Sequence, residues 1–292
     1  MMLDPAAIES RLHKHVDVLA ELIGERNSIR PAALEAARSY LRRELSAMGH
    51  AFTEQSYPVR GREAINLEVT IRGSRPERPT LIIGAHYDSA RGTPGADDNA
   101  SAVAILLEIS RFLVGRRLRR NLRIVFFDCE EAPHFNLGEM GSQFHAAAVR
   151  RSGEAVMGMI CLESLGYFSP QTPQQGPWPL RWIGRLLRQR FVVIVSDIQS
   201  VRFGLSFVGR FVRSGLVLCI PAALPVKWVP DIELSDHRGY WEQGFPALMI
   251  TDTAPLRNPN YHKSKDRLAT LDLPMMARLC RQLRRSVWRM CR

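Results

Sequence analysis

At 292 residues and 46% hydrophobic, the chain can bury a large core, and its length fits one α/β domain over residues 1–292. Forty Lys and Arg against 29 Asp and Glu leave a formal charge of +11, a balance met in partners of nucleic acid, anionic membranes or acidic substrates. The basic residues are scattered, however, and no Lys/Arg-rich block is interleaved with aromatics, so nucleic acid is not an expected partner.

Residues from about Pro5 to Met48 are helical in pattern, with Val16, Leu19, Leu22 and Ile23 on one stripe and Ala37, Tyr40, Leu41 and Leu45 on a second. Gly49 is a plausible stop. Ile65–Ile71 alternates and reads as a strand, whereas Thr80–His86 (TLIIGAH) is almost continuously apolar, as a strand covered on both faces should be. A helix is predicted over Ala100–Leu113, a second buried strand over Leu122–Cys129, a helix over Met140–Val149 and a third buried strand over Val156–Leu162. Gln171–Pro179 reads as a loop and Trp182–Leu187 as a short helix. Leu216–Ile220 and Pro246–Thr251 read as two more strands. Leu273–Met290 closes the chain as a helix with Met276, Leu279, Leu283 and Val287 on one face and a stripe of Arg278, Arg281, Arg285 and Arg289 opposite, the latter expected to be solvated. Strands alternating with helices predict a mostly parallel mixed sheet flanked by helices on both faces, with residues 1–50 packing on it and 273–292 closing it.

The five cysteines, Cys129, Cys161, Cys219, Cys280 and Cys291, form no CxxC pair and read as buried thiols of a reducing compartment. Met1–Arg11 carries Asp4 and Glu9 without an apolar core, so it is not expected to be a signal peptide, and no apolar run is long enough to span a bilayer. A soluble, cytoplasmic protein is the expectation.

Chemistry-bearing residues fall at the ends of the apolar runs. His86 ends the first buried strand, Glu130 and Glu131 follow the second, and Glu163 follows the third. In open α/β sheets ligands gather beyond the carboxyl ends of the strands, so these residues should meet along one edge. Asp98 lies in the loop Gly95-Ala96-Asp97-Asp98-Asn99 that launches the next helix, and its two oxygens could bridge two cations. His262 sits in the polar loop 258–266. His86, Asp98, Glu163, His262 and one of Glu130 and Glu131 would make a complete ligand set for two adjacent metal ions, with the other glutamate spare to act as base. Asp88, two residues beyond His86, points to the same side and suits the carboxylate that fixes a metal-ligating imidazole. Each feature alone has an ordinary explanation as a strand-end histidine, a helix cap or a solvated acid. Together they do not.

The segments His86-Tyr87-Asp88, Gly95 to Ser101, Glu130-Glu131, Glu163 to Tyr167, Ser235-Asp236-His237 and Asn260-Tyr261-His262 occur in the order found in the M28 metallopeptidases, and the chain resembles that family from about His15 to Leu271. The family comprises co-catalytic zinc aminopeptidases, with glutaminyl cyclases as relatives. The resemblance implies a zinc-exopeptidase fold and two zinc ions, with cobalt or manganese able to substitute. It implies that His86 and Glu163 hold one ion, Glu131 and His262 the other, and Asp98 bridges them. Glu130 would be the general base and later the acid, Asp88 would orient His86, and Asp236 and His237 would support the site or touch substrate. Peptides with a free N-terminus are the implied substrates. Two departures stand out: Glu163 occupies a position where several members use Asp, and Ala102 replaces a Gly that often follows the loop serine. Glutaminyl cyclisation on the same scaffold, with one working zinc, is the second enzymatic reading, and a non-catalytic binding relative is a third. Trp178, Trp182, Phe203, Phe207, Trp228 and Trp241 are candidates for an apolar pocket wall, against ordinary packing.

Overall fold

The computed structural model describes residues 5–227 and 229–292, with the side chains of Pro230 and Asp231 outside that description; Asp4 and Trp228 therefore lie outside the described residues. Eight strands form one mixed sheet: β1 (Thr53–Val59), β2 (Arg62–Ile71), β3 (Thr80–His86), β4 (Leu122–Phe127), β5 (Val156–Glu163), β6 (Phe191–Asp197), β7 (Leu218–Leu224) and β8 (Ala247–Thr251), in the order β1-β2-β4-β3-β5-β8-β6-β7. The centre, β4-β3-β5-β8, is parallel. The β1–β2 hairpin joins it antiparallel through β2–β4, and β6 joins antiparallel to β8 with β7 parallel to β6. This is the α/β architecture expected.

The central strands are apolar on both faces because both faces are covered. Every residue of β3 is buried. Ile83, Ile124, Ile160 and Leu248 pack into one core with the helices Pro5–Val16, Pro31–Ala47, Ala102–Leu113, Val201–Phe211 and Leu273–Cys291. The alternate residues Ile82, Val125, Met159 and Met249 face a second core with the helices Gly141–Ser152 and His237–Glu242. This two-sided alternation is the period of two that a pleated strand imposes.

Several boundaries differ from those predicted. The N-terminal pattern is broken: Pro5–Val16 runs on through a π-helical stretch, Asp17–Ile23, to Gly24, and Pro31 starts a separate helix. Leu22, predicted on the inner stripe, is 73% exposed. Gly24 adopts a positive φ of 77°, which releases the chain so that Arg26 turns inward. The polar edge strand β1 and the strand β6 lie outside the predicted set. β1 buries only Tyr57 and Val59 and so lacks a hydrophobic signal. β7 starts two residues later than expected and ends at Leu224. The short helix begins at Trp178 rather than Trp182. Trp178 and Trp182 are exposed, Phe203 and Phe207 are core residues, and Trp241 is half-buried against the second core, so these aromatics do not form one wall. The arginine stripe of the last helix is only partly solvated. Arg278 is exposed, but Arg281, Arg285 and Arg289 are half-buried, and Arg289 reaches the Arg210 carbonyl at 3.3 Å. All five cysteines are free, four buried and Cys219 half-buried. Among the described residues no helix is long and apolar enough to cross a membrane.

The N-terminal helix is fastened to the helix behind β3 by a buried charge. Glu108 is fully buried and takes a two-pronged bond from Arg11, 2.8 Å at each oxygen, with Arg111 at 3.0 Å. Burial raises the Glu108 carboxyl, but His15 and Arg11 outweigh it and hold its pKa down to about 2, below the ordinary 4.5. A depressed folded-state pKa contributes stability above pH 4.5 that is lost as pH falls toward 2. The stability advantage of the wild type over Glu108→Gln is therefore expected to be full at neutrality and to shrink from about pH 4.5 to about pH 2, read by urea unfolding of both proteins across that range.

Candidate metal centre

Each candidate side chain is delivered by the end of a strand or by the loop after it. β3 ends at His86, which is buried, and β5 ends at Glu163. β4 ends at Phe127, and the chain then turns through Cys129, a non-glycine residue at φ 59°, into Glu130 and Glu131. His262, also left-handed at φ 55°, comes from the loop beyond β8, with Tyr261 stacked on its ring at 3.9 Å.

These residues converge. His86 Nε2 lies 3.3 Å from Asp98 Oδ1 and 3.3 Å from Glu163 Oε2, and His262 Nε2 lies 3.0 Å from Asp98 Oδ2 and 3.4 Å from Glu131 Oε2. Asp98 thus presents one oxygen to each histidine. Three groupings bring their donor atoms within 4.8 Å of one another: His86, Asp98 and Glu163; Asp98, Glu131 and His262; and His86, Glu130 and Glu131. Glu130 enters one of these and Glu131 enters two. Glu130 Oε2 is 3.8 Å from His86 Nε2. Neither Cys129 nor Cys161 enters any grouping among the described residues.

The shell around the cluster is built largely from backbone amides and hydroxyls. Asp88 sits 3.3 Å from His86 Nδ1 and accepts from the amides of Glu130 (3.2 Å) and Glu131 (3.1 Å). One carboxylate therefore registers the imidazole against both glutamates. Glu163 accepts from the hydroxyls of Ser235 (2.6 Å) and Ser164 (3.0 Å). The Gly95–Ser101 loop is pinned from several sides. Asp97 accepts from the Gly166 amide (2.8 Å) and the Asn258 side chain (2.7 Å), and Asn99 bonds both the Leu162 carbonyl and the Ser164 amide. Asp266 accepts from the amides of Asp97 (2.9 Å) and Asp98 (3.2 Å). Gly95 has a φ of 62°, and a Cβ there would lie 2.3 Å from the Asp98 carbonyl oxygen, so glycine is required. Behind the loop, the buried guanidinium of Arg26 donates to the carbonyls of Tyr87 (2.7 Å) and Gly95 (2.9 Å). Arg26, Asp97, Asn99, Ser235 and Asp266 are absent from the predicted site. Asp97 and Asn99 lie in the quoted motif, and Arg26 and Asp266 carry no sequence signal beyond their charge.

Asp236 is fully buried, and neither of its oxygens has a hydrogen-bond partner among the described residues. Burial pushes its pKa up to about 7. His237 is turned to the Ile232 carbonyl, 2.6 Å from Nε2, and its edge meets Trp241; burial lowers its pKa to about 4, so the ring is neutral.

The electrostatics call for positive charge. Burial pushes the Glu130 carboxyl well above its usual range, with Glu163 and Asp236 adding to the effect and His86 opposing it. Burial and the charges of Asp98 and Glu130 do the same to Glu131. His86 is pulled the other way: burial opposes its charged form, yet Glu163 and Glu130 raise it well above 6.5. Buried His86 also leaves Nε2, and Glu131 leaves Oε1, without a hydrogen-bond partner among the described residues. Native proteins rarely leave such atoms unsatisfied, and the orphaned nitrogen–oxygen donor set suits divalent cations of the zinc type. The residues present therefore fit a metal pair.

A sequence profile of peptidase family M28 matches residues 66–188. The uncharacterised protein YfbL of Escherichia coli is 34% identical over 283 residues, covering 94% of this chain and 85% of that protein. Fungal proteins named leucine aminopeptidase, Trichophyton equinum among them, are 25% identical over 72% of this chain, which spans about half of their length (54%). The fold is shared with a zinc aminopeptidase from Bacillus subtilis (TM-score 0.73, 12% identity, 97% of this chain and 94% of that one). It is shared also with the Fimbriiglobus ruber glutaminyl cyclase (TM-score 0.70, 18% identity, 99% of this chain and 96% of that one).

Because Asp266 anchors the backbone on which Asp98 rides, Asp266→Ala is expected to weaken divalent-cation binding by about 10–100-fold, the usual cost of losing an outer support. Chelator competition with zinc, on protein shown by circular dichroism to be folded, measures this.

Proposed function

The chain belongs to peptidase family M28, and from that membership we propose that it is a metallo-aminopeptidase that releases single residues from the unblocked N-terminus of peptides, with two divalent cations, zinc foremost, as its cofactor. The observation that carries this reading is the position of Asp98, whose two oxygens face His86 and His262 separately and which belongs to both the His86–Glu163 and the Glu131–His262 groupings. On this reading His86, Asp98 and Glu163 would hold one ion, and Asp98, Glu131 and His262 the other. The whole chain, residues 1–292, would act as one catalytic domain.

When bound, the pair would supply Lewis acidity at the scissile carbonyl and draw the pKa of a water toward neutrality. Everything else falls to the side chains. Glu131 is committed to two of the three groupings and Glu130 to one, which leaves Glu130 the freer carboxylate to move a proton. Glu130 takes a proton from the attacking water at Oε2 and returns it to the leaving nitrogen as the C–O bond forms and the C–N bond breaks. Asp88 keeps the His86 ring aligned from the Nδ1 side and, through two backbone amides, keeps the glutamates in register. Ser235 and Ser164 hold the longer arm of Glu163 in one place, which answers the departure from aspartate at this position. The carboxylates of the site receive the α-amine of the substrate, which selects a free N-terminus. Asp236 adds buried negative charge beside Glu130, which favours the protonated form of the base, and His237 braces its own helix against Ile232.

Glu130→Gln is expected to keep its zinc in metal analysis while kcat falls by about 10²–10⁴-fold on aminoacyl chromogenic amides, with KM little changed. Full turnover in that variant would overturn the assignment of the base. Chelation should abolish activity and zinc should restore it. Release of ammonia from an N-terminal Gln peptide, with no free amino acid, would transfer the protein to the cyclase reading.

A further inference from the structure

The connection between β5 and β6 carries a helix whose polarity is inverted. In Trp178–Leu186, Trp178, Trp182 and Leu186 recur at i, i+4 and i+8 and share one face, and they are 76%, 62% and 63% exposed. The opposite side, Leu180 and Leu187 with Ile183, is half-buried, and Leu180 and Leu187 pack on the second core. Gly184 is pressed against Gln174, where a Cβ would meet that side chain at 2.5 Å, so the helix is seated firmly with its aromatic stripe outward. Three large apolar side chains held in water on one short helix mark an interaction surface rather than scattered exposure.

The charge around the stripe states what it meets. From Ser164 to Ser196 the chain has no Asp or Glu and four arginines, Arg181, Arg185, Arg188 and Arg190, all exposed. Arg181, Arg185 and Arg188 line, with Trp178 and Trp182, a surface cavity of about 690 Å³. Among the described residues none of the four has an acidic partner. Tryptophan beside arginine is the pairing that suits a lipid–water boundary: the rings sit at headgroup depth, the guanidinium groups meet phosphates, and the net charge of +11 adds attraction at longer range.

The helix also sits on the edge that carries the metal centre. β5 ends at Glu163, opposite Thr251 of β8, and β6 runs antiparallel to β8 with Val193 opposite Thr251, so both ends of the connection lie at that edge. Gln174 ties the connection to Thr253 beyond β8 at 2.9 Å.

We propose that the Trp178–Leu186 helix docks this protein on an anionic lipid surface, with Trp178, Trp182 and Leu186 entering the headgroup layer, Arg181 and Arg185 pairing with lipid phosphates, and the catalytic edge held at the bilayer. The docking itself does not depend on the peptidase reading and is measured separately from activity.

The test is flotation of the zinc-loaded full chain with vesicles of phosphatidylglycerol and phosphatidylcholine in equal parts, and with phosphatidylcholine alone, alongside tryptophan emission. The wild type is expected to float with the anionic vesicles only and to shift its emission to the blue. Trp178→Ser/Trp182→Ser and Arg181→Glu/Arg185→Glu should each weaken partitioning by about tenfold or more, with unfolding midpoints unchanged. No flotation, or equal partitioning of the charge-reversed protein, overturns the proposal. So does a wild-type dimer that dissociates in the tryptophan variant at sedimentation equilibrium, which would assign the stripe to a second copy of the chain.

Discussion

Negative charge is crowded into one edge of the sheet, and the surrounding structure is arranged to tolerate it. Asp98 lies within 4.8 Å of both Glu163 and Glu131 by their donor atoms, and Glu130 lies as close to Glu131, with Asp88 behind. At that range and an effective dielectric of about 20, each like-charge pair costs about 3.5 kcal/mol. Domains of this kind are stable by only about 5–15 kcal/mol. Two imidazoles cannot offset several such pairs, so the acids either hold protons or share cations, and the buried His86 Nε2 without a hydrogen-bond partner among the described residues favours the cations.

Three further acids, Asp88, Asp97 and Asp266, stand around the cluster, and backbone amides fix them: those of Glu130 and Glu131 bind Asp88, that of Gly166 binds Asp97, and those of Asp97 and Asp98 bind Asp266. Amides are neutral, directional and fixed by the fold, so they orient carboxylates without competing for the metal position. Arg26 is the exception, a buried cation spent on carbonyls, and burial draws its pKa down to about 10 while the surrounding acids hold it up. It ties the turn after Gly24 to the loop bearing Asp98, linking the N-terminal helices to the proposed centre.

The central fold was legible because parallel strands covered on both faces must be nearly continuously apolar, and β3, β4 and β5 are, with Arg123 the one charge inside them. β6 carries the same apolar run yet lies outside the predicted set; the other departures lack that signature. β1 is polar on its open edge, and the stretch from Pro5 to Met48 looked continuous because helical periodicity persists across Gly24 and Pro31. The aromatic candidates dispersed, since Phe203 and Phe207 face the core while Trp178 and Trp182 face outward. Among the residues that converge, those at strand ends were legible by position. Arg26 and Asp266, each distant in sequence from what they hold, were not.

From its residues alone the chain declared an α/β sheet and the edge at which acids and imidazoles of the type divalent cations take would gather, because strand burial and side-chain donor type are local properties. Only the tertiary structure divided Asp98 between two histidines, set Asp88 beneath both glutamates and turned an aromatic helix outward beside them. Those outcomes depend on which loops close over which strands. Loop closure brings together residues such as Asp98 and Asp266, 168 positions apart, whose contact no local pattern encodes.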